Sequence, residues 1–326
     1  MNKKSVFITR NDFPSIVYEL LKQKFEIVIW PLSEKSVISK SKLIENVKGK
    51  FAIVCSRTEV IDKDVIEAAG NTLKVVTTVS SGFEHLDIDE LKSRGIRIGY
   101  SPVDQLSDAV AEHAVGLLLA TSRRIVEAQN VILKGEWTSK SWSPTWMCGH
   151  ELNGSSVAIV GCGRIGISVM KKVKSFDPKH IFYYNRSEKP EADALGGKLT
   201  SLDFIMKESD FIILALSLDE ETRRIISKER INNMKPNAVI VNVGRGGLID
   251  ENALIEALQS KKIGGAGLDV FSQEPLPTNS PLLKLDNVVA TPHTAGNTMK
   301  CRIAMAKVGA LNVLAVFNNE EMPAEL

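Results

Sequence analysis

A short run of buried-strand character, Val157-Ala158-Ile159-Val160, flows directly into Gly161-Cys162-Gly163-Arg164-Ile165-Gly166. Few sequence features restrict a fold so tightly. In G-x-G-x-x-G spacing the three glycines do different things. Gly161 permits a tight turn, Gly163 lets the backbone approach a pyrophosphate, and Gly166 lets helix pack on strand. The helical composition of residues 168–175 completes a strand-turn-helix whose N-terminal N–H groups and dipole suit an anion. A dinucleotide-binding unit is therefore expected. Gly244-Arg245-Gly246-Gly247 also follows a strand but lacks the spacing, and is not expected to bind phosphate.

Further β-like runs, at residues 6–9, 51–55, 74–78, 181–184, 211–215, 238–243 and 288–290, alternate with helix-like segments. That alternation is the pattern of parallel α/β sheets. At roughly 150 residues per domain, a chain of 326 residues is long enough for two. With 41 basic and 39 acidic side chains the net charge is +2, which leaves no electrostatic footprint for nucleic acid or an anionic membrane. Cys55, Cys148, Cys162 and Cys301 form no C-x-x-C pair, so neither a metal site nor a disulfide framework is expected. No secretory leader pattern and no membrane-length apolar stretch is read, and a cytoplasmic location is expected.

A helix is expected from an N-cap at Ser107, with Asp108 in its first turn, running apolar nearly all round to Ala120. Such a helix has to be buried between layers or subunits. Trp137, Trp142 and Trp146 follow it, as a local hydrophobic cluster or as an interface arm.

Asn185 stands nineteen positions beyond Gly166, where NAD-binding folds place Asp or Glu. An acidic group there would bond the ribose hydroxyls and repel a 2′-phosphate. Asn185, Arg186 and Ser187 instead offer a cation and neutral donors, so the expected cofactor is NADP(H). Reduction of a carbonyl by a nicotinamide also needs a proton, and histidine is suited to supply it near neutrality. His293 lies just beyond the strand at 288–290, Glu274 lies nineteen positions upstream in a Pro-rich loop, and Arg245 follows the strand at 238–243. Glu274 would favour the imidazolium of His293, and Arg245 can clamp a carboxylate bidentately.

Several segments together resemble the D-isomer-specific 2-hydroxyacid dehydrogenase family over nearly the whole length. They are Glu84-His85-Leu86-Asp87, the glycine fingerprint, Asn242-Val243-Gly244-Arg245-Gly246, Gly267-Leu268-Asp269-Val270, Glu274-Pro275-Leu276-Pro277 and Pro292-His293. Within that family Trp142-Ser143-Pro144-Thr145-Trp146-Met147-Cys148-Gly149 and the tail Glu321-Met322-Pro323-Ala324-Glu325-Leu326 are similar to the glyoxylate/hydroxypyruvate reductases. The resemblance implies an α/β fold of two doubly wound parallel-sheet domains, a Rossmann cofactor domain (106–296) inserted into a flavodoxin-like substrate domain (1–105 plus 297–326). It implies NADPH-dependent reduction of glyoxylate to glycolate and of hydroxypyruvate to D-glycerate.

By the same resemblance, Arg245 binds the substrate carboxylate and carbonyl, Glu274 pairs with His293, and His293 donates the proton. Ser81 and Gly82 match the loop whose N–H groups hold that carboxylate. Arg164 and Ile165 match pyrophosphate positions, Ser217 an adenosine position, and Val243, Asp269 and Gly296 nicotinamide positions. The family's dimer interface corresponds to the apolar helix and tryptophan segment, so a homodimer is expected, with Trp142 reaching the partner's active site. Most relatives carry a small apolar residue in place of Ser81. Cys55 stands where phosphoglycerate-type members carry arginine, which argues against a bulky phosphorylated substrate. Two alternatives share these features: a dinucleotide-sensing corepressor-like protein, and an NAD-dependent dehydrogenase of another D-2-hydroxy acid.

Overall fold

The computed structural model describes residues 3–31 and 37–326. The chain divides into two compact units, one formed by Met1–Leu106 with Asn297–Leu326, the other by Ser107–Gly296.

The first unit is built on five parallel strands, β1 (Ser5–Ile8), β2 (Glu26–Ile29), β3 (Ala52–Cys55), β4 (Val75–Thr78) and β5 (Arg97–Gly99), in the order β2-β1-β3-β4-β5. This is the flavodoxin-like order. Strand residues alternate between two faces: Phe7, Ile53, Cys55 and Val76 join one buried cluster, and Val6, Ile8, Val54 and Val75 the other. Covering both faces explains why these strands read as unbroken apolar runs.

The helix Met299–Asn318, capped by the Thr298 hydroxyl accepting from Cys301 N, closes the second cluster with Met305, Ala306, Ala310 and Val313. Among the described residues it is the one helix long and apolar enough to cross a membrane. Here it is a core helix, pinned by the fully buried Asn312. That amide donates to Tyr100 O (3.0 Å) and accepts from Ala324 N (3.2 Å).

Seven parallel strands form the second unit: β6 (Ser156–Val160), β7 (His180–Tyr184), β8 (Gly197–Leu199), β9 (Phe211–Leu214), β10 (Val239–Asn242), β11 (Gly265–Leu268) and β12 (Val288–Ala290). Their order is β12-β11-β10-β9-β6-β7-β8, all parallel. The strands from β11 to β8 reproduce the Rossmann order, with the topological switch between β6 and β9 and one further strand outside β11.

Sequence patterning missed β2, β5, β8 and β11. The first three are short or half-exposed edge strands with little apolar signal. The fourth, Gly265-Ala266-Gly267-Leu268, lacks β-branched residues because the helix Asp104–Ser122 lies too close. A Cβ on Gly267 would sit 3.1 Å from Leu117 Cβ, and one on Gly265 would sit 2.7 Å from Thr121 Cγ2.

That helix also corrects its expected start. It begins at Asp104, and Ser107 lies inside its first turns. Pro102 keeps the preceding chain extended, while Val103 and Leu106 pack into the first unit's core and anchor the opening turn. Asp108 does not serve the helix start. It accepts instead from Ser168 Oγ (2.6 Å) and Lys172 Nζ (3.1 Å), which hold its carboxyl below the usual carboxylate range.

Candidate active site

The fingerprint residues have the geometry their spacing implied. Gly161 adopts φ +100°, and a Cβ there would meet the Ala215 backbone at 2.9 Å. Gly166 lies against the Gly161 carbonyl so closely that no side chain fits. By contrast a Cβ on Gly163 would have nothing within 4 Å, so this exposed corner is open to a ligand. The helix begins at Arg164, runs to Val173, and has no side-chain cap. Strand, open glycine corner and uncapped helix start fit the pyrophosphate of a dinucleotide, which Gly161, Gly163, Arg164 and Ile165 would hold.

Beyond β7 the arrangement differs from the expectation in detail. The Asn185 amide is committed to the turn: its oxygen accepts from Cys162 N (3.3 Å) and its nitrogen donates to Ser187 O (2.9 Å). Arg186 does not present an uncompensated cation. Its Nη2 lies 2.7 Å from Asp219 Oδ2 and 3.1 Å from Glu221 Oε2. Both acids sit in the loop after β9 that also carries the exposed Ser217. The acidic run Asp219-Glu220-Glu221 following a strand was the available signal, and sequence reasoning passed over it.

Arg245, Glu274 and His293 lie beyond the C-terminal ends of β10, β11 and β12, which are adjacent in the sheet. Ligand sites of α/β sheets belong at that edge. Arg245 has extended backbone leading into the short turn Gly246–Leu248, and the buried Asn242 fixes the corner. Asn242 donates to Arg245 O (2.9 Å) and accepts from Gly244 N (3.0 Å). The neighbouring glycines serve packing, since a Cβ on Gly246 would collide with the Phe271 backbone.

Glu274 Oε2 lies 2.6 Å from His293 Nδ1, while its other oxygen accepts from Phe271 N (3.1 Å). A carboxylate can only accept, so Nδ1 carries a proton and Nε2 is the nitrogen turned to other work. The two side chains remain 32% and 23% exposed, open enough for a substrate to reach.

His293 has φ +54°, a left-handed conformation that costs a non-glycine residue roughly 1–2 kcal/mol. Asp269 holds that turn. Its backbone carbonyl accepts from His293 N (2.9 Å), and its carboxylate accepts from Thr294 N (2.8 Å), Ala295 N (2.9 Å) and Thr291 Oγ1 (2.7 Å). With its proton given to Asp269, the Thr291 hydroxyl accepts from His113 Nε2 at 2.9 Å. Burial alone would push the Asp269 carboxyl up, but the His113, Thr291, Ala295 and Thr294 donors hold it below the usual range. Sequence reasoning assigned no role to His113 or Thr291. A histidine in an otherwise apolar helix was the signal.

Val243 is buried at the end of β10, and Gly296 closes the second unit. Ser81 and Gly82 belong to the first unit, in the loop after β4, where the Ser80 hydroxyl donates to the Gly82 carbonyl. Trp142 is 74% exposed, its ring 5.9 Å from that of Trp137, so its neighbour within the chain is a second tryptophan. Among the described residues no group of His, Cys, Asp and Glu is placed to hold a metal ion.

Comparison with known proteins places this geometry in a family. Residues 115–295 match the model described as D-isomer specific 2-hydroxyacid dehydrogenase, NAD binding domain. A glyoxylate reductase of Thermofilum pendens is 41% identical over 331 residues, covering 99% of this chain and 94% of that one. The human glyoxylate reductase/hydroxypyruvate reductase is 42% identical over 302 residues, covering 92% and 90%. The crystal structure of an NADPH-dependent glyoxylate/hydroxypyruvate reductase from Sinorhizobium meliloti superposes with TM-score 0.83 at 26% identity, covering 99% and 98%. The chain belongs to the D-isomer-specific 2-hydroxyacid dehydrogenase family, oxidoreductases that act on the hydroxyl-bearing carbon with a nicotinamide dinucleotide.

Proposed function

We propose that this protein reduces glyoxylate to glycolate and hydroxypyruvate to D-glycerate, with NADPH as the preferred reductant. The observation that carries the reading is the His293–Glu274 pair at 2.6 Å, held beyond adjacent strands of the sheet that also delivers Arg245. The Thermofilum pendens and human relatives named above, both glyoxylate reductases, support the substrate. Arg186, in place of an acidic group after β7, supports NADPH.

In the proposed mechanism Arg245 binds the substrate carboxylate and polarises the adjacent carbonyl. A dinucleotide held at Gly161, Gly163, Arg164 and Ile165 would, in its reduced form, be the source of the hydride for the carbonyl carbon. His293 gives the proton from Nε2 to the oxygen as negative charge develops there, and Glu274 stabilises the imidazolium before transfer and fixes the ring afterwards. Asp269 keeps the ring aimed by holding the left-handed turn. A small substrate anchored at its carboxylate gains most of its orientation from one clamp.

We also propose a homodimer. The helix Ile125–Leu133 buries none of its residues within the chain, leaving Ile125, Ile132 and Leu133 more than half exposed beside Trp137 and Trp142. Large apolar side chains left uncovered at this density support an interface.

The test is oxidation of NADPH and NADH by the purified protein with glyoxylate, hydroxypyruvate, pyruvate and a bulky aromatic 2-oxo acid. Rapid NADPH-dependent turnover of the first two is expected. Dinucleotide binding with no turnover of any would favour the sensor alternative.

A further inference from the structure

The two carboxylates on Arg186 are held very differently. Asp219 is fixed by its own loop: its Oδ1 accepts from Thr222 N at 2.8 Å and lies 2.8 Å from Thr222 Oγ1, and its backbone N donates to that hydroxyl at 2.8 Å. Glu221 is 80% exposed, and its ion pair with Arg186 is longer. An exposed pair such as Arg186–Glu221 is easily exchanged for another anion. Asp219 cannot withdraw without breaking its turn.

We propose that Asp219, seated by Thr222, is the specificity-determining residue that limits how far this chain prefers a 2′-phosphorylated dinucleotide. It engages Arg186 as a carboxylate partner and keeps a fixed negative charge beside the cation a 2′-phosphate would use. The inference rests on the reading that the fingerprint holds a nicotinamide dinucleotide with Arg186 near its adenosine ribose. Its consequence is a dual-cofactor protein. Arg186 favours NADPH, Asp219 opposes the same phosphate, and NADH is left indifferent to both.

Asp219→Asn is the informative variant, because the amide oxygen still accepts from Thr222 N and the turn survives. At separations of about 6 Å in water, removing one unit charge opposite a dianion improves affinity by roughly tenfold at low salt. The gain should shrink as the Debye length falls to about 10 Å at 0.1 M. Dissociation constants of the wild-type and variant chains are measured by isothermal titration for NADPH, NADH, adenosine 2′,5′-bisphosphate and AMP, independently of turnover.

The expected result is several-fold to tenfold tighter NADPH and bisphosphate binding, with NADH and AMP within about twofold. Glu221→Gln should move every ligand by less than about twofold at physiological salt. If wild type binds both dinucleotides and Asp219→Asn leaves the NADPH/NADH ratio unmoved, the inference is overturned while the cofactor reading stands. Binding of neither dinucleotide to wild type overturns both. An equal gain for AMP and the bisphosphate would also overturn it, since a general charge effect would then replace phosphate recognition.

Discussion

Asp269→Asn separates the support of the active site from its chemistry, and the structure sets the size of the effect. The carboxylate belongs to a residue 1% exposed, and it takes Thr291 Oγ1 and Thr294 N on Oδ1 and Ala295 N on Oδ2. An asparagine can keep its oxygen at the Oδ1 position only by turning its NH2 toward the Ala295 N–H. One buried donor is then unsatisfied, at about 1–3 kcal/mol, and the two remaining bonds lose charge assistance at about 1 kcal/mol each. A total near 4 kcal/mol should lower the melting temperature of a unit of this size by about 8–16 °C.

The left-handed turn at His293 also loses part of its support, the bond from Ala295 N, while the main-chain bond from His293 N to Asp269 O remains. Relaxation of roughly 1–2 kcal/mol of conformational strain would leave the Glu274-paired ring populated about five- to thirtyfold less, with kcat falling in proportion. Calorimetry and steady-state rates are the assays. A variant melting within 2 °C of wild type with unchanged kcat would refute the account of Asp269 as the clamp. The sign with pH follows from the depressed carboxyl. Its contribution is present above the unfolded value of about 3.9 and is lost as pH falls through the lower folded value, so the wild-type advantage over Asp269→Asn should close only in strong acid.

Other substitutions test separate parts of the reading. His293→Ala should remove at least about 99% of kcat while leaving NADPH affinity within a few-fold, and near-normal turnover would mean another group supplies the proton. Arg245→Lys, which keeps the charge but loses the bidentate fork, should raise KM for glyoxylate by about tenfold or more in initial-rate assays. His85, pushed down to about 4 chiefly by burial, stays neutral in the fold while the unfolded chain protonates near 6.5. Stability should therefore decline as pH drops from about 6.5 toward 4, and His85→Gln should flatten that decline in thermal melts at graded pH. Ile132→Asp, placing a charge on the uncovered helix, should shift sedimentation from dimer to monomer without lowering the melting temperature of the isolated chain.

Legibility in the sequence tracked how local the cause of each feature was. Gly161, Gly163 and Gly166 were readable because turn, approach and packing are decided within six residues, and the structure gives each its expected surroundings. The strand Gly265–Leu268 was not readable as a strand. Its glycines answer to Leu117 and Thr121, about 150 positions away, and local propensity carries no record of a helix pressed against a sheet.

The same distinction divides the active site. His293 could be placed after the strand at 288–290 and Glu274 assigned to it from the Pro-rich loop nineteen positions upstream, whereas Asp269, Thr291 and His113 form one hydrogen-bonded chain only after the helix Asp104–Ser122 has docked on β11. Arg186 is the most instructive case. Its charge and position after β7 were visible, but an electrostatic role is a sum over neighbours, and the loop after β9 brings Asp219 and Glu221 to within 2.7 and 3.1 Å of it. A cation read in isolation points to a phosphate. Set between two carboxylates, one of them hydrogen-bonded into its own turn, it fits the graded preference proposed above, in which Thr222, an uncharged residue, acts through the carboxylate it holds.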